Sequence, residues 1–336
     1  MQGFFTVAAR IRSRMQLRQS WPLSAIFVFC NRRPEDSSRL RASHQKVDRQ
    51  MKLACIQTDV AFKDVSTNLS LLEKTVRAEA AQGTDLTVFP ECFLTGYCFD
   101  SLSEAAEFGE TIPGPSTERV ARLCAEINTF VVFGMLEKAG DALFNAAVLI
   151  GPGGIIGSYR KVHLPYLGVD RFTTPGDRPF EVFEAAGIRI GMLICYDGGF
   201  PEAARVLSLR GADLIVLPTN WPPGGSYMAE FSINCRAMEN GIYFAAVNRI
   251  GTENGFSFIG KSRICSPVGA TITSIDDTSA GVLRTEIDPQ VARTKRIVRV
   301  PGKHLIDRMA DRRPEMYAPI CEPHSLRRPG RDGDPV

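Results

Sequence analysis

From Met51 onward, short apolar runs of strand length alternate with stretches of helical period, and this constrains the fold more than any other feature. Residues 52–58 read as a strand, and Val65 to Ala81 as a helix with Leu69, Leu72 and Val76 on one face. "DLTVFPE" is a second strand; after a long loop, Ser116 to Asn128 reads as a helix with Thr117 near its cap. Three consecutive strand-like segments follow, "TFVVFGMLEK", "ALFNAAVLIGPGG" and "IIGSYRKVHL", joined by Gly and Asp turns. The alternation then resumes with an apolar run at Ile188 to Ile194, a helix over 201–210, the strand "ADLIVLPTN", a helix over 228–239 and the strand "IYFAAVNRI". "SRICSPVGAT" and "AGVLRTEID" finish the sheet as shorter strands. Alternating βα units together with runs of strands predict an α/β fold in which one sheet packs on a second and the helices lie outside.

At 336 residues the chain has room for two domains or one large α/β domain. Its first fifty residues read differently from the rest. "MQGFFTVAARIRSRMQLRQ" is basic and acid-free in the manner of a transit peptide, and "WPLSAIFVFC" is too short to span a bilayer. We expect residues 1–50 to be a non-catalytic leader upstream of the functional start at Met51, with a targeting role as the alternative. Residues 51–320 are expected to form the working domain and 321–336 a polar tail. Net charge is +3, and the basic excess sits in the leader, so nucleic acid is a poor partner. No run reaches the ~20 apolar residues of a membrane span. Nine cysteines at irregular spacings fit reduced thiols in a cytoplasmic setting better than a disulfide scaffold, and CxxC metal pairs are absent.

Three strand ends carry polar residues for which a packed core has no use. "LTVFPE" ends in Glu91, "IIGSYRK" in Lys161 and "GMLICYD" in Cys195, which opens a Gly-Gly turn. In open α/β sheets, sites form beyond the carboxyl ends of strands. Taken singly, each residue has an ordinary explanation: an exposed loop acid, a solvated basic edge, an inert buried thiol. Together they are chemically coherent. A carboxylate can take the thiol proton, the thiolate can attack a carbonyl, and an ammonium can stabilise the oxyanion.

These motifs resemble the nitrilase, or carbon–nitrogen hydrolase, superfamily: "FPECFLTGY" around Glu91, "YRKVHLP" around Lys161 and "ICYDGGFPEAAR" around Cys195. "PGD", "GADLIVLPTNWP", "RAMENGIYFAAVNR" and "DRRPEMY" follow in the same order, so the resemblance runs from about Met51 to about Tyr317. It implies a four-layer α-β-β-α sandwich, a Glu-Lys-Cys triad that needs no metal or other cofactor, and homodimers or larger homo-oligomers. It also implies an oxyanion donor in the backbone N–H of Tyr196. Where relatives carry a second glutamate, this chain offers Asp170, which could equally be a loop acid paired with Arg171.

By the same resemblance, the Cys-Tyr-Asp opening of the cysteine motif leans toward small linear amides or N-carbamoyl amines, and away from nitriles. Tyr97, Phe172, Phe200, Asn220 and Trp221 lie next to the catalytic strand ends and are candidate pocket walls, with plain core packing as the alternative for each. Arg171 is a candidate partner for a substrate carboxylate. A Cys–His protease would need a histidine, and only His163 lies inside a motif. A silent scaffold of the same fold would have no need of all three catalytic residue types.

Overall fold

The computed structural model describes residues 50–334, so the expected leader, apart from Gln50, lies outside the described residues. In chain order the first elements are β1 (Met51–Gln57), α1 (Val65–Ala81), β2 (Leu86–Val88), α2 (Leu102–Glu107) and α3 (Pro115–Ile127). Next come β3 (Phe130–Ala139), β4 (Ala142–Gly151), β5 (Gly154–Arg160), β6 (Val182–Ala185), β7 (Ile188–Met192), α4 (Pro201–Leu209) and β8 (Leu214–Thr219). Then follow α5 (Ile233–Asn240), β9 (Tyr243–Asn248), the short pair β10 (Thr252–Glu253) and β11 (Phe256–Ser257), β12 (Arg263–Cys265), β13 (Thr271–Ser274) and β14 (Gly281–Ile287). Helix α6 (Pro289–Arg293) and the hairpin β15 (Ile297–Val300) and β16 (His304–Ile306) close the series.

Two six-stranded sheets carry the fold, in the orders β14-β1-β2-β3-β4-β5 and β13-β12-β9-β8-β7-β6. Each has parallel pairs at its centre, β1-β2-β3 in one and β7-β8-β9 in the other, with antiparallel strands toward the edges. The two segments expected to finish one sheet part company: β14 edges the first sheet, Met51 facing Ile287, while β12 pairs with β9 in the second.

Strand periodicity explains the layering. Leu53 and Cys55 of β1 join Ile190, Met192, Val216 and Ala245 of the second sheet in one core between the sheets. Ala54 and Ile56 point the other way, into a second core with Leu69, Leu72 and Val76 of α1 and Val120 and Leu123 of α3. Leu72 and Val76 are fully buried there, each worth roughly 1.5–3 kcal/mol of transfer free energy. On the opposite side Ala203 and Leu207 of α4 and Ile233 and Ala237 of α5 cover the second sheet. The result is the four-layer α-β-β-α sandwich.

Two expectations shift in detail. Helix α3 begins at Pro115 with Gly114 as its cap, and the Thr117 hydroxyl accepts the Gly114 N–H at 2.8 Å. The helix expected over 228–239 opens as a π turn, Met228–Ser232, before α5, and Met228 is buried there against Gly198 and Gly199.

Candidate active site

Each of the three motif residues leaves a strand end and is then turned inward by its own loop. Glu91 sits three residues past β2. Its loop lies flat on β3, where the Gly134 N–H donates to Pro90 O at 3.1 Å. A Cβ at Gly134 would stand 2.3 Å from Cys92 N and 2.7 Å from Glu91 Cα, so only glycine allows this approach. Lys161 follows β5 directly, its N–H donating to Asn145 O of β4 at 2.8 Å. Cys195 stands three residues past β7, in the turn Cys195–Gly199, with φ at +47°. That left-handed conformation is strained for a residue with a side chain.

The strain is held from behind. The Asp197 carboxylate accepts the Ile194 N–H at 3.0 Å, the His163 N–H at 3.0 Å and the Tyr159 hydroxyl at 2.8 Å, and His163 Nδ1 lies 2.7 Å from it. Arg236 donates to the carbonyls of Gly198 and Gly199, both at 3.1 Å. Asp197 therefore braces the turn and does not face outward.

Glu91 and Lys161 are fully buried and Cys195 is 6% exposed. Lys161 Nζ donates to Glu91 Oε1 at 2.7 Å and to Asp170 Oδ2 at 2.5 Å. Asp170, also fully buried, further accepts the Tyr97 hydroxyl at 2.7 Å. It does not pair with Arg171, whose guanidinium donates to the carbonyls of Gly168 and Phe99 at 3.1 and 2.8 Å. Those bonds leave Arg171 a brace of its own loop, and the expectation that it meets a substrate carboxylate gains no support from its placement.

Sequence reasoning missed Asn145. Its Nδ2 donates to Glu91 Oε1 at 2.7 Å and to Asp170 Oδ1 at 2.9 Å, tying the two carboxylates together. The signal was available, since a lone asparagine interrupts the apolar run "ALFNAAVLIG", and the structure buries it fully.

The other candidates divide. Tyr97 is buried and holds Asp170; Asn220 Nδ2 donates to Glu91 O at 3.1 Å, linking loops from the two sheets. Trp221 is buried, and neither its Nε1 nor Asn220 Oδ1 has a partner among the described residues. Phe200 stacks on His163 with ring centroids 3.7 Å apart, and Arg171 lies over the Phe172 ring at 4.7 Å. Tyr196 is 43% exposed. Two cavities of about 430 and 380 Å³ lie elsewhere, one beside Lys295 and Met309, the other beside Arg205 and Tyr317, and neither is lined by the triad.

Burial governs the electrostatics. It pushes the Cys195 thiol up to about 12, with the Glu91 charge adding to it against Lys161, the Thr219 hydroxyl and the Asn220 main chain. Burial likewise raises Glu91 above the usual carboxylate value; Lys161 pulls it down and Asp170 pushes it up again. For Lys161 burial opposes the charge, but Asp170 and Glu91 prevail and hold the ammonium well above the ordinary lysine value. At neutral pH the site therefore holds a neutral thiol beside a cation and two carboxyl groups.

The sequence profile of the carbon–nitrogen hydrolase family matches residues 52–296. The chain belongs to that family. A protein named nitrilase from Pyrococcus abyssi is 38% identical over 268 residues, covering 80% of this chain and 99% of the relative. A protein named N-carbamoylputrescine amidase, from Arabidopsis thaliana, is 31% identical over 280 residues, covering 76% of this chain and 90% of the relative. Among solved structures, an amidase variant from Nesterenkonia sp. with acrylamide added to its active-site cysteine superposes with a TM-score of 0.66. It is 25% identical and covers 80% of this chain and 99% of its own.

Proposed function

We propose that this carbon–nitrogen hydrolase cleaves a small linear amide or N-carbamoyl amine through a thioester on Cys195, with Glu91 as base and Lys161 as oxyanion partner. The observation that carries the reading is the split use of the Glu91 carboxylate. Oε1 takes both Lys161 and Asn145, while Oε2 is buried without a partner among the described residues. A buried carboxylate oxygen left free beside a neutral thiol is what a general base requires. Because burial keeps Cys195 protonated at neutral pH, its proton must leave as the sulfur attacks, and Glu91 is the acceptor.

In the proposed cycle Cys195 Sγ bonds to the amide carbon and its proton passes to Glu91 Oε2. Lys161 spends two N–H donors on Glu91 and Asp170, leaving the third for the oxyanion, with the Tyr196 backbone N–H as a second donor. One such donor is worth roughly 3–4 kcal/mol. The tetrahedral species collapses, the C–N bond breaks, and Glu91 returns the proton to the departing ammonia or amine. Water then gives a proton to Glu91 and its oxygen to the thioester carbon; the C–S bond breaks, and Glu91 returns the proton to the Cys195 sulfur, releasing the acid and restoring thiol and carboxylate. Asp170 and Asn145 hold Lys161 and Glu91 in register throughout.

The relatives named amidase support this choice of substrate class, and the Michael adduct of acrylamide on the cysteine of the Nesterenkonia amidase supports a cysteine nucleophile. The name of the Pyrococcus relative favours a second reading, a small nitrile, which the same nucleophile would attack to give a thioimidate. An ammonia-release screen over short amides, N-carbamoyl amines, ω-amides and nitriles, run on wild type and Cys195→Ala, separates the two. Release from amides or carbamoyl amines, lost in Cys195→Ala, is expected. Turnover of nitriles alone, or undiminished turnover by the alanine variant, would overturn the proposal.

A further inference from the structure

The C-terminal segment reaches back to the active-site loop. Arg331 Nη1 donates to Leu164 O at 3.0 Å, and its Nη2 donates to the main-chain oxygen of Asp170. No main-chain N–H reaches either carbonyl among the described residues. One half-buried guanidinium thus pins the loop between β5 and β6 at two points, Leu164 and Asp170, a match for the planar fork of arginine that a lysine cannot reproduce.

The segment is shaped for this contact. Arg328 and Asp332 close it through two hydrogen bonds of 2.8 and 2.7 Å, and Asp334 accepts the Gly330 N–H at 3.2 Å. Gly330 lies at φ +66°, and a Cβ there would stand 2.5 Å from Tyr166 Cγ. Only glycine lets the backbone lie against that ring and deliver the next residue, Arg331, to the loop. The Asp170 side chain, on the inner side of the same loop, is the acceptor that Lys161 and Tyr97 share.

We propose that residues 328–334 form a strap across the active-site loop and that Arg331 is a positioning residue, fixing the Asp170 backbone so that its carboxylate keeps Lys161 aimed. The proposal rests on the reading of Glu91, Lys161 and Cys195 as the catalytic set. Arg331 touches neither the nucleophile nor the base. Its removal frees the loop to sample positions in which Lys161 is oriented worse, so the effect belongs on kcat with KM moved little.

The test uses the full chain with Arg331→Ala, Arg331→Lys and Gly330→Ala, with Cys195→Ala as control. Steady-state kinetics on the amide found by the screen are paired with peptide-resolved iodoacetamide alkylation, which needs no known substrate. Arg331→Ala should lose about tenfold in kcat, the scale of one charge-assisted contact, and Cys195 should alkylate correspondingly slowly. The exposed Cys235 and Cys321 should alkylate as in wild type. Arg331→Lys should recover part of the rate, and added methylguanidinium should restore activity to Arg331→Ala. Gly330→Ala, which keeps the arginine but lifts the strap, should lose kcat as well, and it decides the matter if Arg331→Ala does not fold. Wild-type kcat and alkylation in the strap variants would overturn the proposal. So would a loss of rate that tracks only the folded fraction and is not rescued by methylguanidinium. Full turnover by Cys195→Ala would instead strike at the catalytic reading.

Discussion

Replacing Asp170 with asparagine tests the second carboxylate without changing its size. In the wild type Oδ2 accepts from Lys161 and Tyr97, and Oδ1 from Asn145. An asparagine can present its oxygen to the first pair only by turning its NH2 toward the Asn145 NH2, a donor facing a donor. Flipping Asn145 to relieve that contact would take away the hydrogen bond it gives Glu91 Oε1. At least one charge-assisted bond is therefore lost, along with one of the two charges that hold the Lys161 ammonium. A loss of this kind costs ~2–4 kcal/mol, so kcat/KM should fall on the order of a hundredfold. The pH profile carries an independent signature. Asp170 is one of the charges that raise Glu91, so removing it lowers the Glu91 pKa and moves the acid limb of kcat/KM to lower pH. Asp170→Glu keeps the charge and the limb, and loses less rate, limited by the roughly 1–3 kcal/mol of forcing a methylene into a filled site. Steady-state kinetics from acid to neutral pH on the two variants read both effects. A wild-type rate with an unmoved limb in Asp170→Asn would refute the reasoning.

Cys195→Ala and Cys195→Ser should both abolish hydrolysis with unchanged circular dichroism, since neither can form the thioester. In the wild type Glu91 must be ionised to accept a proton, and burial raises its pKa, so activity is complete above that raised value and lost as pH falls through it. The acid limb of kcat/KM should accordingly lie above 4.5, the ordinary value for this side chain. Gly134→Ala should lower kcat and the thermal midpoint together, because its methyl meets backbone at Cys92 and Glu91, which cannot swing aside. Arg249 and Glu253 form a buried pair, and Glu253 in turn accepts the N–H groups of Tyr97 and Cys98 at 2.8 and 3.0 Å. Arg249→Ala should lose about 3–5 kcal/mol in urea denaturation, because it strands that carboxylate in the interior.

What was legible in the sequence were local anomalies. An apolar run that stops at Glu91, Lys161 or Cys195 is visible within ten residues, and strand and helix periods reveal which faces are buried. The layering followed from those periods, and the motif residues from their misfit at strand ends. Tertiary structure alone decided how these groups treat one another. Asn145 and Asp170 are 25 positions apart, Tyr97 and Asp170 73, and Arg331 meets Asp170 across 161. No period or spacing encodes contacts made by different loops folding over two sheets. The same holds for the thiol. A cysteine before a glycine turn suggests an activated nucleophile, but its ionisation depends on how much water and charge surround it. Only the packed site shows that burial outweighs the neighbouring ammonium and keeps the proton on Cys195 at neutral pH.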